Sequence, residues 1–217
     1  NELYLATRKP GVMANPIIVE AELYHGHNIE SEDTSSLRII TDEDVEIIFN
    51  ASLCSASHSD PRVTVECEKA TIEYCNFNAS TIKFTDGRIG KIVDNSEQRI
   101  YMLSELADSH LGIKPFAATI DTCRPFTLAV NGAFESCAEI NTISKEYLER
   151  FEQDGSIKTV VKDIDHVLQN AHAKGKLFSE MGISWARKSK PFDVTEYKTF
   201  PSKNFNRKTT NNRIFAT

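Results

Sequence analysis

The sequence predicts an α+β protein, a largely antiparallel open sheet with helices packed on one face. Two observations carry this reading. Up to Val93, short apolar segments alternate with tight turns. Strands joined so closely must pair antiparallel, because parallel neighbours need long crossovers. After Asp94 the apolar period changes to the three-and-four spacing of helices. A sheet clad on one side leaves a second face that must be polar or must meet another surface. Ile47, Phe49, Ile72, Tyr74, Phe77, Ile82 and Phe84 make that face too apolar for solvent, so it is expected to pair with a second copy.

The elements follow in order. Asn1–Ala6 reads as the last turns of an amphipathic helix running into the breaker Lys9-Pro10-Gly11, the expected continuation of a preceding domain. Pro16–Tyr24 is a first strand, Asn28–Asp33 a turn and Ser36–Thr41 a second strand. Asp42-Glu43-Asp44 turns into a third strand, Val45–Leu53. Beyond Asp60-Pro61 come Arg62–Glu66, Ala70–Phe77 and Thr81–Phe84, the last joined to Arg88–Val93 by the hairpin dipeptide Asp86-Gly87. Asn95-Ser96-Glu97-Gln98 resembles a capping box opening a helix whose buried stripe is Ile100, Leu103, Leu106 and Ala107. A longer helix is expected to start at Asp121 as its N-cap, with Phe126, Val130, Phe134 and Cys137 as the seam facing the sheet. Ser144–Phe151 reads as a short polar helix. Val160–Ala173 reads as another, capped by Gly175, with Ile164, Val167, Leu168 and Ala171 on one face. Leu177–Trp185 is a core-docking segment. Three regions result: residues 1–15, the end of a linking helix and a linker; 16–186, the α/β domain; and 187–217, a basic extended tail with aromatic anchors.

Composition narrows the function classes. The net charge is −6, yet the residues from Arg187 onward hold eight Lys/Arg against two Asp/Glu. That leaves an acidic body of −12, which repels phosphates, so nucleic acid is not an expected partner. No apolar run is long enough to cross a bilayer. The cysteines Cys54, Cys67, Cys75, Cys123 and Cys137 are odd in number, lack CxxC spacing and read as buried apolar residues of a reducing, cytoplasmic compartment.

The run His25-Gly26-His27-Asn28-Ile29-Glu30-Ser31-Glu32-Asp33 is the densest cluster of chemistry-bearing residues. His25 and His27, two apart at a strand end, point the same way and could chelate zinc with Glu30 or Asp33. The remaining histidines show no paired spacing to complete such a site, so no metal is assigned. The remaining readings are a polar strand end, His25, His27 and Asn28, facing a neighbouring domain, or a plain solvated turn. Asp33 then satisfies turn N–H groups. Arg124, near a helix start, either reaches a substrate hydroxyl or phosphate or ties its helix to the sheet. Ser55, Ser57, His58, Ser59 and Asp60 are close in sequence but lack a nucleophile elbow. Gly87-x-x-Gly90 sits inside a hairpin, so neither a dinucleotide fingerprint nor a phosphate loop is present. No catalytic and no cofactor-binding residue is assigned.

Several stretches together carry a resemblance: Asn28–Thr34, the Asp42–Ala51 hairpin, Pro61–Tyr74, and Thr122-Cys123-Arg124 through Asn131-Gly132-Ala133-Phe134-Glu135-Ser136. They resemble the C-terminal α/β domain of the Gfo/Idh/MocA oxidoreductase family over Pro16 to Ser136, and Lys176–Ala186 is similar to the end of some members. The resemblance implies a preceding Rossmann domain that holds NAD or NADP and the catalytic lysine and histidine, none of which is carried over here. It implies hydride transfer on a sugar or polyol, and a substrate-side and oligomerisation role for this domain. It also implies a homodimer or homotetramer through the open sheet face, no bound cofactor in this piece, and no activity for it in isolation. Two alternatives stand beside it: a noncatalytic self-association or scaffold domain, and part of an NAD-dependent glycosidase.

Overall fold

Val19, Ala21 and Leu23 alternate with Glu20, Glu22 and Tyr24 along the strand Pro16–His25 (β1), and all six are buried. A strand buried on both faces is an interior strand, and β1 organises the larger sheet. The computed structural model describes residues 2–9, 11–75, 79–93, 98–153 and 155–202, which fall into two compact units. One unit joins Asn1–Ala14 to Ser57–Arg124; the other joins Asn15–Ala56 to Pro125–Thr217. The predicted class holds: α/β structure with antiparallel pairing, open sheets and helices alongside. The strands, however, are shared among three sheets.

In the second unit β1 pairs antiparallel with Thr34–Thr41 (β2), which pairs with Glu46–Ser52 (β3). The acidic turn Asp42–Asp44 closes that hairpin as expected, with Asp44 in the left-handed region at φ 59°. The short strand Asn141–Thr142 (β8) adds to β1 in parallel, and Phe192–Asp193 (β11) adds antiparallel. The helix Ile120–Cys137 (α3) lies against the Val19 side of β1, where Gly132 meets Val19 and Val194. On the Tyr24 side, the helix Ile164–Lys174 (α4) and the segment around Phe178 and Trp185 form the main core with Cys54, Ile143 and Val161. Cover is therefore graded from strand to strand rather than divided between a clad and a bare face: β1 is enclosed, while Phe49 on β3 stays 39% exposed.

Two elements differ from the sequence reading. Leu148–Gln153 (β9) and Ser156–Val161 (β10) form a hairpin where a polar helix and the first turn of the next helix were expected. The Asp154-Gly155 dipeptide between them is a hairpin signal, and Gly155 has φ 75°. In α3 the buried positions are Pro125, Leu128, Ala129, Gly132, Ala133, Glu135 and Ser136, whereas Phe126 and Val130 are exposed. The smaller side chains face the sheet because the helix backbone comes close to it. Thr119 caps this helix instead of Asp121, since Thr119 Oγ1 accepts the Thr122 N–H at 3.2 Å while Thr122 Oγ1 accepts the Thr119 N–H at 2.8 Å. The Gly175 cap appears as read, at φ 58°.

Gly132 gives a sharp test of this packing. Exchanging glycine for alanine inside a helix normally gains roughly 1 kcal/mol of propensity. Here the added Cβ would sit 2.7 Å from Val194 Cγ1 and 3.0 Å from Val19 Cγ2. Overpacking of that kind costs about 1–3 kcal/mol. Gly132→Ala is thus expected to lower stability by up to about 2 kcal/mol in urea unfolding, against the propensity scale; a gain would show that α3 can move off β1 freely.

The other unit contains a single helical turn, Glu2–Leu5 (α1), and an antiparallel meander of Arg62–Cys67 (β4), Ala70–Cys75 (β5), Ala79–Phe84 (β6) and Ile89–Val93 (β7). Gly87, at φ 89°, turns β6 into β7 as the Asp-Gly signal requires. Cross-strand pairing puts Val65, Ile72 and Ile82 on one face and Thr64, Glu73 and Thr81 on the other. The apolar residues expected on one open face are consequently split: Ile47 and Phe49 belong to the β1 sheet, while Ile72, Tyr74, Ile82 and Phe84 belong to the meander. Phe77 lies outside the described residues, as do Asn95-Ser96-Glu97 and the tail from 203 on. The helix Gln98–His110 (α2) forms, but its stripe is not buried, with Ile100, Leu103 and Leu106 between 55% and 68% exposed. Helical spacing reports that a stripe exists and says nothing of what covers it. Among the described residues no helix is long and apolar enough to cross a membrane.

Candidate functional site

The site is built where β1 ends. The chain bends at Gly26, β2 begins at Thr34, and the loop after β3 brings in Cys54. Asp33 is buried at this junction, and its carboxylate holds the bend together. It accepts the Gly26 N–H at 2.9 Å and the His27 N–H at 2.9 Å, the Thr34 hydroxyl at 3.0 Å, and the His27 ring at 2.8 Å. This is the turn-satisfying role the sequence suggested for Asp33. Burial alone would raise its pKa, but hydrogen bonds from the His27 backbone and ring, Cys54 and the Gly26 backbone outweigh burial and hold it below the usual carboxylate range.

The two histidines do not converge. Alternation of side chains stops with the strand, and the bend at Gly26 sends the two rings to different partners. His25 Nδ1–H donates to the His27 carbonyl at 2.7 Å, and its Nε2 faces the Thr142 hydroxyl at 3.0 Å. His27 instead turns inward to Asp33, with the Cys54 thiol 3.4 Å from the same Nδ1. Asn28 and Glu30 are exposed on the turn. Arg124 belongs to the other unit, where it is exposed on α3.

Cys54 is the member that sequence reasoning missed. It is fully buried, and its backbone is fixed by the Ser52 hydroxyl and by the Val161 N–H donating to its carbonyl at 2.9 Å. Gly26 makes room for it: a Cβ there would stand 3.2 Å from Cys54 Sγ. Burial, and then the adjacent Asp33 carboxylate, push its thiol up to about 12. Thiol, imidazole and carboxylate look like a nucleophilic relay, but the geometry differs. A relay needs the nucleophile and the orienting carboxylate on opposite ring nitrogens; here both contact Nδ1. A buried, protonated thiol is also inert as a nucleophile.

Beside this cluster runs a polar cleft of about 100 Å³ lined by Asn141, Thr142, Ser144, Glu146, Tyr147 and Arg187, among others. Linked to the cleft residue Arg187 through the Tyr24 hydroxyl, Glu22 is buried and accepts hydrogen bonds from the Ser179 N–H at 3.0 Å, the Ser179 hydroxyl and the Tyr24 hydroxyl at 3.0 Å. Burial raises the Glu22 pKa despite these bonds. On the same face Arg38 makes a bidentate pair with Glu180 at 2.8 Å and binds Glu46 at 2.6 Å. Ser55 donates to Asp165, whereas His58 is exposed and 3.8 Å from Asp60, so no triad forms in that loop.

No family model matches the sequence, and no curated protein matches it. Solved structures do. An oxidoreductase from Agrobacterium radiobacter in complex with NAD+, L-tartaric acid and magnesium superposes with a TM-score of 0.50 at 11% identity, over 58% of this chain and 42% of that one. A UDP-N-acetylglucosamine 3-dehydrogenase from Acidithiobacillus ferrooxidans gives 0.49 at 11% identity, over 55% and 40% of the two chains. An aldose-aldose oxidoreductase from Caulobacter crescentus complexed with glycerol gives 0.45 at 15%, over 56% and 40%. The chain thus matches less than half the length of each of these structures. The first of these shares its fold with this chain.

Proposed function

We propose that this chain is the substrate-side and association part of an NAD(P)-dependent oxidoreductase of the Gfo/Idh/MocA kind acting on a sugar or polyol. The observation that carries the reading is the common fold with part of an oxidoreductase that binds NAD+, joined to the sequence resemblance over Pro16–Ser136. Residues 16–186 form the domain of that type, and a Rossmann partner domain supplies the cofactor site. In hydride transfer the nicotinamide performs the redox step, and the protein holds the two carbons in line and moves the proton at the adjoining oxygen. His25, His27 and Asn28 at the end of β1 border the substrate, and Arg124, in the other unit, is a separate substrate-side candidate. Copies associate as a homodimer or homotetramer through an open sheet face, in the reducing cytoplasm that the free thiols of Cys54, Cys67, Cys123 and Cys137 suit.

The test is a hydride-transfer assay on the native polypeptide containing this chain, with NAD+ and NADP+ against a panel of sugars, inositols and linear polyols. Cofactor reduction that depends on one of these substrates is expected. Calorimetry on this chain by itself is expected to give no NAD(H) binding. A native polypeptide that reduces neither cofactor across the panel, or tight NAD(H) binding by the isolated chain, would overturn the reading.

A further inference from the structure

His27 Nδ1, Asp33 Oδ2 and Cys54 Sγ come from the end of β1, the start of β2 and the loop after β3, and their ligand atoms all lie within 4.8 Å of one another. We infer that this cluster is a zinc site, with solvent completing the coordination on the half-exposed side of the His27 ring. The inference shares His27 with the proposed substrate side but does not rest on that reading.

The donor set is the first argument. A neutral imidazole, a thiolate and one carboxylate oxygen are the ligands zinc takes, at about 2.0–2.1, 2.3 and 2.0–2.2 Å. Tetrahedral placement at those lengths separates N from S by about 3.5 Å and N from O by about 3.3 Å. The structure has 3.4 Å between Nδ1 and Sγ and 2.8 Å between Nδ1 and Oδ2. Both separations are within about half an ångström of tetrahedral values, and the cysteine sulfur and a carboxylate oxygen lie within 4.8 Å of each other. His25 is not the fourth ligand, because both its ring nitrogens are engaged elsewhere.

Charge and protons form the second argument. Zn2+ with one thiolate and one carboxylate is neutral, the form a buried site tolerates. The ion takes the place of two protons, the one on His27 Nδ1 and the one on the Cys54 thiol. The His27 ring proton moves from Nδ1 to Nε2 by exchange with solvent, and the Cys54 thiol proton leaves to solvent, so one proton is released per ion bound. Such release is the rule when thiols ligate. The Gly26 and His27 N–H groups and the Thr34 hydroxyl remain on the carboxylate and aim its oxygen, as outer partners do in built metal sites.

Equilibrium dialysis of the purified chain against Zn2+, followed by metal analysis, is expected to give one equivalent per chain. Calorimetry in buffers of different ionisation enthalpy should report one proton released. Cobalt loading should give a thiolate-to-metal charge-transfer band that Cys54→Ala abolishes, and Cys54→Ala and His27→Ala should each weaken zinc binding more than about 10-fold. His27 is the safer position structurally, so if Cys54→Ala unfolds, His27→Ala with unchanged circular dichroism decides the matter. A chain that binds no zinc, or binds it equally well after His27→Ala, overturns the site.

Discussion

Replacing Tyr24 by alanine is expected to destabilise the protein by about 4–5 kcal/mol. Tyr24 is fully buried and packs edge-on against Trp185 at 5.0 Å between ring centroids, with Phe178 at 6.4 Å. Removing a buried aromatic side chain costs about 3–5 kcal/mol through lost transfer energy and an unfilled cavity. The hydroxyl adds to this, because it donates to Glu22 at 3.0 Å and accepts the Arg187 N–H at 2.8 Å. Tyr24→Phe separates the contributions: the ring stays and the hydroxyl goes, so about 1–2 kcal/mol should be lost. A small domain has only about 5–15 kcal/mol in hand, so the alanine variant should unfold near the foot of the urea range. Equal losses for the two variants would mean that the hydroxyl network, and not aromatic packing, holds the Phe178–Trp185 segment on β1.

The second large effect is at Asp33. Asp33→Ala takes the acceptor away from the Gly26 and His27 N–H groups and the Thr34 hydroxyl. Each buried donor left unsatisfied costs about 1–3 kcal/mol. The Thr34 hydroxyl can turn towards Ser52 Oγ, 2.7 Å away, and the bend can admit water, so a total of about 3 kcal/mol is expected. Loss should be local first. Amide hydrogen exchange at Gly26 and His27 should accelerate ahead of exchange in the middle of β1. Unchanged protection at those two amides would show that the bend is held by the strand pairing alone.

Much of the fold was legible. Asp86-Gly87, the Asp42–Asp44 turn, the Gly175 cap and the anchoring of Leu177–Trp185 all follow from local chemistry: which residues accept a positive φ, and which apolar runs must leave water. Asp33 belongs with them, since a short carboxylate before a strand reaches the backbone donors nearest to it in sequence. The hairpin of β9 and β10 was also written in the chain, in Asp154-Gly155. Its flanking strands are so polar, Glu149, Arg150, Glu152 and Lys158 among them, that apolar alternation did not mark them.

By itself the sequence determined the class of structure and the position of its turns, because dihedral preference and hydrophobic period are properties of neighbouring residues. Tertiary structure decided three things that such signals do not contain: the division of the strands into separate sheets, the face α3 turns toward β1, and the meeting of Cys54 with His27 and Asp33. Cys54 is a plain buried thiol in its local context. It becomes a candidate ligand only because strand register and the Gly26 bend carry it, across 27 positions, to within 3.4 Å of an imidazole. Register is fixed by the summed burial of whole strands, and no short stretch of residues holds that sum.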